Sequence, residues 1–270
     1  MTATPTRTGG PRASTPRATL LLGLVLGVAA LAWVAMVRFH ASAGDPGGHH
    51  AHDHGTAASP ASTSFLALLG GWLVMVLAMM LPTALPFLRM LAGLVRRRPR
   101  AHLLVAAGVG AYVAVWVGVG AVLVGASAGI ARVAAAAPWL RDRPQVLAVG
   151  ALLLAGAYQF SPLKNACLRA CRSPRSFAFA HWRGVHPPLV ESSRMGTAYG
   201  LSCVGCCWAL MALGVLAGAA GLVTMAVLTL VMVGERLARR GLRLVRPVGV
   251  LLLALAVLVG TGALPAAPFV

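Results

Sequence analysis

TAYGLSCVGCCWALMALGVLAG, residues 197–218, has no Asp, Glu, Lys or Arg in 22 positions and carries three cysteines, Cys203, Cys206 and Cys207. At about 1.5 Å of rise per residue, a helix of this length crosses a hydrocarbon layer of about 30 Å. Helical geometry brings residues three and four apart to one side, so Tyr199, the three sulfurs and Met211 share a face. The stretch therefore reads as a transmembrane helix with soft-metal or redox chemistry on one side.

Six more apolar stretches surround it, at 18–37, 65–88, 102–130, 145–163, 221–235 and 247–265. The expected fold is an all-α polytopic bundle of about seven transmembrane helices. Six remain open, because 221–235 is short and the break before it is only Ala219 and Ala220 with Gly221 at its edge, as in a tight hairpin or a re-entrant segment. The composition agrees: 59% of residues are hydrophobic, 10% are charged and the mean hydropathy is +0.82, against about 25% charged in soluble proteins.

The net charge of +18 has a topological explanation. Of 23 Lys and Arg, 19 fall in alternate loops: three before the first span, five over 89–100, six over 164–194 and five over 236–246. Positive loops stay cytoplasmic, which sets the amino terminus inside and the carboxyl terminus outside a plasma (inner) membrane and leaves no call for nucleic acid. Residues 1–17, rich in Thr, Pro, Gly and Arg, read as a disordered cytoplasmic tail, 18–265 as one membrane domain and 266–270 as a short tail. Ala41-Ser42-Ala43 resembles a signal cleavage site, but the preceding apolar run exceeds a signal h-region of about 7–15 residues and favours an uncleaved helix.

Four constellations carry candidate chemistry. On the second span, Met75, Met79, Pro82 and Pro86 fall on a narrow stripe with Trp72 at its edge, while Met80 points away. Pro82 withdraws an amide and predicts a kink, and two thioethers one turn apart suit Cu(I), the competing role being gap-filling. The CVGCC word, facing a reducing compartment, reads as metal ligands or a redox pair and not as structural disulfides. Cys167 and Cys171, four apart in a cytoplasmic Cys/Arg-rich loop over 164–194, face one way on a short helix beside Lys164, Arg169, Arg172 and Arg175, whose charges favour thiolate. The outer loop over 44–63 holds His49, His50, His52 and His54 with Asp53, a tract able to capture Zn(II), Cu(II) or Ni(II). Glu235 is a membrane-edge acid expected to be solvated or paired with arginine. No hydrolytic triad, phosphate loop or carboxylate pair is visible, so an enzyme is not expected.

The words AMMLPTALPF (78–87), YQFSPLKNACLRACRSP (158–174) and YGLSCVGCCWALM (199–211) together resemble a bacterial domain-of-unknown-function family of integral membrane proteins predicted to bind metal. The resemblance runs from about Leu31 to the last helix. It implies a multi-pass inner-membrane protein and carries over to Met79, Met80, Pro82, Cys167, Cys171, Cys203, Cys206, Cys207 and Met211, with Glu235 and Arg236 as an acid-then-base pair. Two departures stand out: Met75 is alone near Trp72, and AGAAGL (217–222) replaces an expected Met-Asn pair.

The leading functional expectation is a copper-type metal handler in which outer histidines collect ions, Met75, Met79 and Met80 pass them, and the inner cysteines with Met211 hold Cu(I), Zn being the alternative ion. A transmembrane thiol–disulfide relay is the second reading. A non-catalytic subunit of a membrane complex, with a membrane partner or a second copy of the chain, is the third.

Overall fold

The structure, a computed structural model, describes residues 16–43, 65–136, 145–216 and 221–264. The histidine tract, the first 15 residues, the junction at 217–220 and the last six residues lie outside the described residues. Ten helices and no strands make up the described residues: α1 (Pro16–Ala43), α2 (Phe65–Thr83), α3 (Leu85–Val95), α4 (Ala101–Ala136), α5 (Gln145–Gln159), α6 (Pro162–Arg172), α7 (Pro174–His181), α8 (Pro188–Leu216), α9 (Gly221–Leu237) and α10 (Gly241–Gly260).

Five of them, within α1, α2, α4, α8 and α10, are long and apolar enough to cross a membrane, and α5 with α6 makes a sixth if that pair, bent by 64°, is one span. The expected count of about seven therefore becomes five or six among the described residues. At 17 residues α9 reaches about 25 Å, short of the hydrocarbon layer. Large apolar side chains point outward along these helices, among them Leu24 and Leu31 of α1, Leu66 of α2, Val122 of α4, Leu201 of α8 and Leu251 of α10.

Three boundaries depart from the apolar pattern, each for a local reason. The 65–88 run breaks at Ala84, two residues past Pro82, where the Ala84 amide bonds back to the carbonyls of Met80 (3.1 Å) and Leu81 (3.2 Å), and Pro86 opens α3. After α5, Ser161 accepts a bond from the Leu163 amide (3.2 Å) and caps α6, with Pro162 at its first position. The central helix α8 starts at Pro188, nine residues before the apolar run. There the Glu191 carboxylate gathers the amides of Val185 (3.2 Å), His186 (3.2 Å) and Arg183 (3.4 Å), folding the preceding loop onto the first helical turn.

Helix α8 is the organising element, packed along α4 and against α6, while α5 runs along α10 and α1 along α2. The α4–α8 crossing is built on glycine: a Cβ on Gly196 would collide with the carbonyl of Gly108, so the two backbones touch. Trp72 of α2 donates its indole N–H to the Trp116 carbonyl of α4 (2.8 Å) and lies over Gly120, which fixes α2 on the same scaffold.

Candidate metal centre

Cys203, Cys206 and Cys207 all point into the core from α8, and Cys171 reaches them from the last turn of α6. The sulfurs of Cys171, Cys203 and Cys206 come together around one side-chain nitrogen of Arg236. Cys207 donates its one thiol proton to the Cys203 carbonyl one turn back (2.9 Å), and its sulfur lies 3.6 Å from the Met80 sulfur. Cys206 donates to the same carbonyl (3.1 Å). The Tyr112 hydroxyl of α4 meets the Cys203 sulfur at 3.2 Å. All five cysteines are free thiols.

The charge at the centre belongs to Arg236, in the last turn of α9. Its Nη2 lies 2.7 Å from the Cys203 sulfur, 3.2 Å from Cys206 and 3.4 Å from Cys171. Its Nη1 donates to Thr83 Oγ1 at 2.6 Å, and that hydroxyl donates on to the Met80 carbonyl at 2.8 Å. Its Nε finds no partner among the described residues. Among those residues no three Cys, His, Asp or Glu side chains surround a common metal point. The physical reason is visible in the distances: three thiols converge on one nitrogen of a guanidinium.

This assigns the cations differently from the sequence. Lys164, expected beside the thiols, forms a buried ion pair with Glu235 at 2.8 Å, and Gln159 donates to the other carboxylate oxygen at 3.3 Å. Glu235 thus pairs with a lysine, not an arginine. Arg172, also expected there, instead donates to the carbonyls of Glu235 (2.6 Å), Arg236 (3.0 Å), Ala238 (2.7 Å) and Arg239 (3.3 Å), closing the orphan carbonyls at the end of α9. That clamp holds the turn from which Arg236 enters the cluster. Arg236 itself was legible only as half of an acid-then-base pair, although a charge ending an apolar helix is the signal that finds such a residue.

The other sulfurs are placed as follows. Cys167 is half-buried and packs on the backbone of Gly205, where an added Cβ would lie 2.5 Å from its sulfur, so it borders the CVGCC turn from the outside. Met80, which the spacing set apart from the stripe, is the thioether that meets Cys207. Met75, Met79 and Met211 are buried in the same core. An aromatic wall closes one side: Tyr199 stacks on Phe87 (4.1 Å between centroids) and meets Phe177 edge-on (5.6 Å). His49, His50, His52 and His54 lie outside the described residues.

Chemically, four thiols and a thioether are a soft donor set, the kind that takes Cu(I) ahead of harder ions. Comparison with curated proteins and with solved structures finds no match. Residues 69–259 match the family PpoB2, described as copper chaperone, and this range takes in all five cysteines, Met80 and Arg236. The metal-related resemblance is thereby supported: the chain belongs to the PpoB2 copper chaperone family.

Proposed function

We propose that this protein is a multi-pass plasma-membrane copper chaperone that holds Cu(I) as cargo on thiols of α6 and α8, with the Met80 thioether beside them. One observation carries the reading: Cys171 and the Cys203–Cys207 turn, separated in the chain, meet in a buried cluster that also contains Met80. The outward leucines and valines and the alternation of basic loops support insertion with the amino terminus in the cytoplasm. That orientation favours a cluster toward the cytoplasmic side, since Met80, Cys171 and Arg236 come from the last turns of α2, α6 and α9, helices whose carboxyl ends lead toward the basic segments. Met75 and Met79 precede Met80 on α2 and so lie farther from that end of the helix.

The test is elemental analysis of protein purified under reducing conditions. Wild type is expected to retain copper after desalting, and the Cys203→Ser, Cys206→Ser, Cys207→Ser triple variant to fall to background. Equal copper in both proteins, or none in wild type, would refute the proposal.

A thiol–disulfide relay is the second reading, favoured by Cys171 and Cys206, on two different helices, both lying against Nη2 of Arg236 at 3.4 Å and 3.2 Å. Mild oxidation followed by alkylation mapping decides it. A reversible Cys171–Cys206 bond formed in copper-free protein supports the relay, whereas thiols that stay alkylatable until copper is added support binding alone.

A further inference from the structure

Arg236 is buried among weak acceptors. Sulfur accepts hydrogen bonds poorly, yet the Nη2 group has three cysteine sulfurs around it and Nε has no partner among the described residues. Among those residues no carboxylate pairs with it, because Glu235 is taken by Lys164. A guanidinium cannot shed its proton in a protein, so a positive charge stands inside the cluster with cysteine sulfurs and no carboxylate around it. A Cu(I)–thiolate cargo supplies a matching anion. Cu(I) bound by two thiolates carries a net charge of −1, and bound by three, −2. For any number of thiolates the Zn(II) complex is one charge more positive. A fixed cation within 2.7–3.4 Å of the ligand sulfurs therefore favours the monovalent ion by one unit of charge interaction, whichever thiols coordinate.

Resting on the copper reading, we propose that Arg236 is a specificity-determining residue: its guanidinium is the built-in counter-cation of an anionic Cu(I)–thiolate complex and discriminates against divalent zinc. It acts through the ligands and does not bind the metal. Thr83 anchors the far side of the guanidinium, and the Arg172 clamp fixes the turn that delivers it. A purely structural arginine would lower the affinity for both ions together. A counter-cation changes their ratio.

The experiment measures Cu(I) and Zn(II) affinities by chelator competition in detergent for wild type, Arg236→Gln and Arg236→Lys. Gln keeps a donor toward the sulfurs without the charge, and Lys keeps the charge without the fork. The Cu(I)-over-Zn(II) preference is expected to fall by about tenfold or more in R236Q and to return within about threefold of wild type in R236K. If R236Q does not accumulate, Arg236→Met with R236K makes the same comparison. An unchanged ratio in the neutral variant, with Cu(I) still bound, overturns the role of Arg236 and leaves the copper reading standing. A wild-type protein that binds no Cu(I) overturns both.

Discussion

Lys164→Met is expected to destabilise the folded chain by about 3–5 kcal/mol, the cost of leaving one buried charge without its partner. The side chains of Lys164 and Glu235 are 1% and 2% exposed and 2.8 Å apart, so the carboxylate would keep only the Gln159 amide once the ammonium is gone. Removing both charges is a different matter. Lys164→Met with Glu235→Leu replaces the pair by apolar groups of similar volume, and such replacements are often neutral or stabilising. Thermal unfolding in detergent, followed by helical circular dichroism, is expected to show a large loss for the single variant and recovery for the double. If the single variant unfolds like wild type, the Lys164–Glu235 pair does not stabilise the packing of α6 against α9.

Gly196→Leu is expected to cost roughly 3 kcal/mol or more, because the obstruction is main chain and cannot rotate away. A side chain there pushes the Gly108 carbonyl, and with it α4, off α8. Tyr112 lies one turn beyond Gly108 and Cys203 two turns beyond Gly196, so the same displacement opens the Tyr112–Cys203 contact. Size-exclusion profiles and copper retention should both fail in G196L. Gly110→Leu is the control, since nothing stands within 4 Å of a Cβ at that position. Equal loss in both variants would mean that bulk anywhere on these helices, not the crossing itself, is responsible.

Much of the centre can be read from local spacing. The three and four residue intervals of Cys203, Cys206 and Cys207 fix a shared helical face whatever that face meets, and the structure buries all three together with Tyr199 and Met211. Helical phase alone cannot say which neighbour each face receives. That is why Met80 appeared to lie off the functional stripe and is the thioether that touches Cys207. It is also why Lys164 and Arg172, adjacent in sequence to Cys167 and Cys171, do not supply the charge at the thiols. The three-dimensional neighbour is Arg236, 65 residues from Cys171. Apolar length similarly underestimates α8, whose first turns contain Glu191, Ser192 and Arg194 and hold their helical form through the loop amides bound by Glu191.

The Lys164–Glu235 pair spans 71 residues of chain. At about 5–20 residues per second of synthesis, the lysine emerges roughly 4–14 seconds before its carboxylate exists. During that interval α6 carries an ammonium with no counter-ion, and an un-neutralised charge is held back from the hydrocarbon. In the proposed membrane arrangement, the segment bent away from α5 waits at the lipid headgroups while α8 and α9 are made. The sulfur cluster is completed only once the end of α9 has been made, and a nascent chain cut short of Glu235 lacks the arginine that meets Cys171, Cys203 and Cys206.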